Sequence, residues 1–178
     1  MSTVARRRLR NVTVAATMSL SVVAWAGAPR AAGAQDQPDA CVLFTRKEAK
    51  RILGTAARRE TSVRSTQGSE CSYTAEKNAK RVVGLAVGQF TPEDEAWKAY
   101  MTARANAQFD GLELQDVRRL GFRAHWLPKT NNFERTVLGQ KLVIGELTLL
   151  QGRRVYTVYV APPSKSKARD AINLVIAD

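Results

Sequence analysis

Histidine and cysteine are scarce in this chain of 178 residues: one histidine, His125, and two cysteines, Cys41 and Cys71. Zinc patterns need about four such ligands at close spacing, so no metal site is expected. No Gly-x-Ser-x-Gly elbow, His-Glu-x-x-His or Gly-rich phosphate loop occurs. The sequence therefore offers no motif for a serine hydrolase, a zinc protease or a nucleotide enzyme, and no cofactor is expected. Asp110, Glu113 and Asp116 lie close together, but their spacing does not fit a calcium-binding EF-hand loop and reads as a solvated acidic turn. Beyond the first 34 residues no apolar run approaches the length of about 20 residues that a membrane helix needs.

Those first 34 residues are organised as an export signal. Arg6, Arg7, Arg8 and Arg10 make a basic head, Val12 to Ala26 follow as a short apolar run, and Ala32-Gly33-Ala34 supplies a small-x-small cleavage pattern. The expected division is a signal peptide over 1–34 and a single exported α+β domain over 35–178, placed in the periplasm, the cell envelope or outside the cell. Cys41 would be the seventh residue of the mature chain rather than the first, which argues against a lipid anchor. The signal holds five of the 28 basic residues and none of the 16 acids. The mature chain then carries 23 cations against 16 acids, so its net charge is +7 rather than the +12 of the full sequence.

An even cysteine count in an oxidising compartment is most simply one disulfide, Cys41–Cys71. The competing reading makes one of the two a catalytic thiol with His125 as its base.

Thr45-Arg46-Lys47-Glu48 is a capping box that opens a helix, and Gly54 ends it. Ala49, Ile52 and Leu53 line its apolar face. Thr61 to Arg64 reads as a short strand, Gln67-Gly68-Ser69 as a turn and Cys71 to Thr74 as a second strand. In Arg81 to Phe90, Val83, Leu85 and Val87 alternate with Gly84, Ala86 and Gly88, which predicts a strand whose small-residue face admits a close neighbour, a packed helix in the simplest case. Thr91-Pro92-Glu93-Asp94 starts a second helix that runs to about Gln108, with Trp97, Tyr100, Met101 and Ala105 as its buried stripe. Gly121 to Leu127 is a strand. Lys141 to Leu150 and Arg153 to Ala161 form a hairpin about Gln151-Gly152. A closing helix after Ser166 buries Ala168, Ala171, Ile172 and Val175. The fold class expected from this order is α+β, a curved antiparallel β-sheet packed against two or three helices on one face.

Cys41-x-Leu43 before the capped helix, Leu53-Gly54 at its end and Cys71-x-Tyr73 in the following strand form a connected set of short motifs. Leu120-Gly121-Phe122-Arg123-Ala124-x-Trp126 and the hairpin before an Ala-rich helix extend it. Together they resemble the uncharacterised small exported bacterial proteins of the DUF3558-like kind, over most of the mature chain. The resemblance implies an exported α+β domain and supplies no catalytic residues. It departs from that group in lacking a lipidation cysteine after the signal.

Two candidate sites follow from the residues themselves. The segment Arg46 to Arg81 holds ten Lys/Arg and four Glu. Its helix face, Arg46, Lys47, Lys50 and Arg51, is a candidate for binding an anionic surface, with a solvated charged face as the plain alternative. Nucleic acid is not the expected partner, because export argues against it and Tyr73 is the segment's one aromatic residue. The second candidate is His125 with Trp126, Asn131, Asn132 and Arg135, beside a long connection that could hold a small polar ligand. Its plain alternative is an outward strand histidine next to a core tryptophan. The function expected is a non-catalytic binding or interaction module of the bacterial envelope, engaging an acidic envelope component or an exported protein. The alternatives are a hydrolase-like enzyme using His125 and an inhibitor of another exported protein.

Overall fold

A computed structural model describes residues 37–118, 120, 123–128, 135–137 and 140–177, with the backbone alone at 135–137, 140 and 141. In chain order the elements are α1 (Ala40–Leu43), α2 (Arg46–Leu53), β1 (Ala57–Ser65), β2 (Gly68–Ala75), β3 (Asn78–Gln89), α3 (Glu93–Phe109), β4 (Gln115–Asp116), β5 (Arg123–Leu127), β6 (Arg135–Val137), β7 (Gln140–Leu142), β8 (Gly145–Gln151), β9 (Arg154–Ala161) and α4 (Lys165–Ile176). Seven strands make one antiparallel sheet in the order β1-β2-β3-β9-β8-β5-β4, and β6 pairs with β7 separately. The chain is therefore α+β, with alternating helical and strand segments as its sequence implies.

Local chemistry fixes the helix ends. The Thr45 side chain accepts from the Glu48 amide while Glu48 reaches back to the Thr45 backbone, and Gly54 closes α2 at φ 68°. The Arg81 guanidinium donates to the Leu53 carbonyl and so ties this end of α2 to β3. Ser164 caps α4. Gly152, at φ 54°, turns the β8–β9 hairpin where the sequence places it.

The period of the strands divides the interior into two sides. Val83, Leu85, Tyr156, Val158, Leu147 and Trp126 face α2 and α4, where Ile52, Leu53, Ala171 and Ile172 complete the main core. The opposite side carries a smaller cluster of Val82, Tyr159, Ala161, Leu142 and Ile144. His125 alternates with Trp126 and so points to this second side, where its ring meets Tyr100 of α3 at 5.1 Å. Thus α2 and α4 share one face of the sheet while α3 lies against the other. Two helices, α2 and α4, share a face within the expected two or three, and α3 takes the opposite face, where His125 of β5 and Tyr159 of β9 point.

Two finer readings also change. The buried residues of α3 are Ala96, Tyr100 and Ala107, whereas Trp97 and Met101 are each more than a third exposed. The helix is rotated so that Tyr100 alone supplies its large buried side chain. The small-residue face of β3 receives an aromatic ring rather than a helix: a Cβ on Gly84 would lie 2.1 Å from Tyr159 Cζ. The Tyr159 hydroxyl continues past it to donate to Glu70 at 2.6 Å.

Cys41 and Cys71 form a disulfide across 30 residues, joining α1 to β2. No helix among the described residues is long and apolar enough to cross a membrane.

Closing a loop of that length restricts the unfolded chain, and the chain-entropy argument assigns it about 3–4 kcal/mol. A C41S/C71S variant is expected to lose about that much stability in denaturant unfolding, and an unchanged midpoint would refute the assignment. Gly84→Ala is expected to cost about 1–3 kcal/mol by pushing the Tyr159 ring out of place, read as a lowered Tm.

Candidate functional site

The basic segment can be followed residue by residue. Each of its four acids is already engaged. Glu48 serves the capping box. Glu60 takes Arg58 at 2.8 Å and the Thr74 hydroxyl at 2.5 Å. Glu76 takes Arg46 at 2.7 Å. Glu70 accepts from Tyr159. Four of the ten cations are engaged as well: Arg46 by Glu76 and the Ala57 carbonyl, Arg58 by Glu60, Arg64 by Asp39 and Arg81 by the Leu53 carbonyl. The remaining Lys47, Lys50, Arg51, Arg59, Lys77 and Lys80 are exposed, and their side chains make no ion pair or hydrogen bond with a described residue.

The fold gathers these six cations toward one end of the sheet. Ala57 at the start of β1 pairs with Ala75 at the end of β2, and Ala75 pairs with Asn78 at the start of β3. Arg46 reaches from α2 to the Ala57 carbonyl, and Arg81 reaches from β3 to the end of α2. Three separate pieces of sequence, 46–51, 57–59 and 76–81, thereby meet. Of the four residues singled out from sequence, Lys47, Lys50 and Arg51 present unpaired charge, while Arg46 is a structural tie. Arg59, Lys77 and Lys80 lie at the same end of the sheet through the strand pairing, with Lys80 alternating with Arg81 and so on the side away from α2. The sequence signal for them was the segment's net charge, which does not say which cations the acids leave over. Arg59 lies on β1, an edge strand, where charge also discourages pairing with another chain.

His125 has a different setting. It is 1% exposed, it sits opposite Asp116 in the β4–β5 pair, and its Nδ1 has no hydrogen-bond partner among the described residues. Asp116 holds Arg104 of α3 at 2.6 Å, so an exposed ion pair fastens the helix over the buried ring. Trp97 stacks on Tyr100 with ring centroids 5.9 Å apart, and the Arg123 guanidinium lies 4.3 Å from the Trp97 centroid. Burial is the main force on the imidazole and Arg104 adds to it, with Asp116 opposing; the result is a pKa of about 4. Arg104 correspondingly holds Asp116 below the usual carboxylate range. Burial raises the Tyr100 phenol.

This histidine is neutral at neutral pH, but a general base must also reach the proton that it removes. Tyr100 covers the ring, and the nearby carboxylate of Asp116 is occupied by Arg104. A polar cleft of about 390 Å³ lined by Gln89, Gln151, Arg153, Arg154 and Tyr156 does not include His125. Trp126 faces the main core on the other side of the sheet. The strand period that buries both residues separates them, so they do not share a ligand-facing surface. Asn131 and Asn132 lie outside the described residues, and Arg135 is placed by its backbone in β6.

No family model matches the chain, and no curated protein matches it.

The buried imidazole makes stability depend on pH. Its pKa is lower in the folded state, about 4, than the model-peptide value of 6.5. Between these values the unfolded chain binds the proton and the folded chain does not, so acid favours unfolding there. The penalty is absent above pH 6.5 and complete below about pH 4, where it reaches about 3 kcal/mol. His125→Phe removes this titration. The stability difference between wild type and variant is expected to change by about 3 kcal/mol between neutral pH and pH 4, measured by urea unfolding at each pH. A difference independent of pH would show that the ring is not buried as described.

Proposed function

We propose that this protein is an exported, non-catalytic binding module of the bacterial envelope that engages an anionic surface through the end of its sheet built from α2, β1 and the β2–β3 turn. The observation that carries this reading is the gathering of Lys47, Lys50, Arg51, Arg59, Lys77 and Lys80 at that end after the local acids are all engaged. Clustered cations on a folded scaffold attract phosphate or carboxylate groups, and the attraction falls as salt shortens the screening length to about 8 Å at physiological strength.

Other features support the setting. The basic head, apolar run and Ala32-Gly33-Ala34 pattern have the order of an export signal. A disulfide suits an oxidising compartment. The motif resemblance to exported proteins of the DUF3558-like kind points the same way. A sheet curving about α2 and α4 would hold the basic end as a rounded surface.

The test is co-sedimentation with vesicles of phosphatidylglycerol and phosphatidylcholine. Binding that weakens with added salt is expected. Each cation near an anionic surface contributes about 1 kcal/mol, so K47E/K50E/R51E should bind at least about 100-fold more weakly while remaining folded. Equal binding by the variant and the wild type would overturn the assignment of this surface.

A further inference from the structure

The other end of the same sheet carries a polar cleft made by different residues. Gln89 ends β3, Arg154 opens β9 and Gln151 ends β8. The strand register sets Gln89 against Arg154 and Arg154 against Gln151. Side chains directly opposite one another in adjacent strands share a face, so three neighbouring strands present a Gln–Arg–Gln row. Tyr156, two residues beyond Arg154, lies on that face, and Arg153 adds a second guanidinium from the hairpin turn. These five residues line the cleft of about 390 Å³.

Its central cation is held in place before any ligand arrives. Arg154 Nε donates to Gln89 Oε1 at 3.0 Å, and its Nη1 faces the Tyr156 hydroxyl at 3.5 Å. Gln89 is anchored in turn by Gln37, whose side chain accepts from the Gln89 amide at 3.0 Å and donates to its carbonyl at 3.1 Å. A guanidinium has five N–H donors in a rigid plane, so these contacts orient Arg154 and leave donors over. The Arg153 side chain makes no hydrogen bond or ion pair with a described residue. Among the described residues no carboxylate lines the cleft.

Two guanidinium groups beside two primary amides are complementary to a particular ligand chemistry. Guanidinium takes an oxyanion through paired, charge-assisted donors. The amides of Gln151 and Gln89 suit hydroxyl groups, since Gln151 offers donors and an acceptor and Gln89 still offers its NH₂. The geometry points to a binding site for a small hydroxyl-rich molecule bearing one carboxylate, an acidic sugar, with Arg153 and Arg154 on the carboxylate and Gln89 and Gln151 on the hydroxyls. This site is independent of the basic surface at the opposite end.

The experiment is an ¹H–¹⁵N NMR titration of the disulfide-bonded protein with glucuronate, glucose and inorganic phosphate. Glucuronate is expected to shift the amide signals of Gln89, Gln151, Arg153 and Arg154 in a saturable way, with glucose giving no shift and phosphate binding more weakly. Arg153→Gln and Arg154→Gln are each expected to weaken glucuronate binding at least roughly tenfold, whereas K47E/K50E/R51E should leave it unchanged. The Arg153 side chain has no partner among the described residues, so R153Q keeps the test valid should R154Q disturb the strand ends. No saturable shift, shifts that map to other residues, or unaltered affinity in R153Q would overturn the proposal. Equal affinity for phosphate and glucuronate would reduce the site to a general oxyanion contact and would overturn the sugar assignment.

Discussion

The antiparallel pairing of β3 with β9 is the constraint on which the other features rest. It joins Val82–Gln89 to Arg154–Ala161, residues 65 to 79 positions apart in the chain. On one side of it in the sheet lie β2 and β1, on the other β8, β5 and β4, and α2 and α4 pack on one shared face. One register then sets three outcomes. It places Val83, Leu85, Val158 and Val160 toward α2 and α4, it brings Tyr159 over Gly84, and it aligns Gln89 with Arg154 at the strand ends. A slip of one residue would exchange the two faces and dissolve all three.

Because the central strands are covered on both sides, charge is driven to the ends and edges of the sheet. The two ends differ in how that charge is organised. At the α2 end the cations are numerous, exposed and held by flexible side chains, an arrangement that suits a broad anionic surface and a salt-sensitive attraction. At the β8–β9 turn there are few cations, but Arg154 is oriented by hydrogen bonds to its neighbours, which suits a single oxyanion with defined direction. The disulfide and the Gln37 contacts anchor the chain's entry into the domain next to β2 and β3, so the N-terminal segment supports the second of these regions directly.

His125 illustrates how burial can imitate a functional signal. From the order of residues, a lone histidine beside a tryptophan allows both a ligand contact and a plain strand position next to a core ring. Packed under Tyr100 and strapped by the Arg104–Asp116 pair, it is a neutral core ring with an unmatched nitrogen. Its consequence is acid sensitivity of the fold. The same burial that lowers its pKa leaves the ring 1% exposed.

The sequence alone determined the local elements whose physics is short-range. The Thr45–Glu48 capping box, Gly54 at the end of α2, the Val83-Leu85-Val87 alternation and the Gln151-Gly152 hairpin turn each depend on neighbours within a few residues, and each is found where the residues place it. The cysteine pair was legible because two cysteines allow only one intramolecular pairing. Tertiary structure decided what depends on partners distant along the chain. Periodicity could not say that α3 takes the face opposite α2, since an alternating strand offers both faces. It could not say that Tyr159, 75 residues away, fills the space above Gly84. Nor could net charge tell which six cations remain, because Arg46–Glu76, Arg64–Asp39 and Arg81 with the Leu53 carbonyl join positions 30, 25 and 28 residues apart.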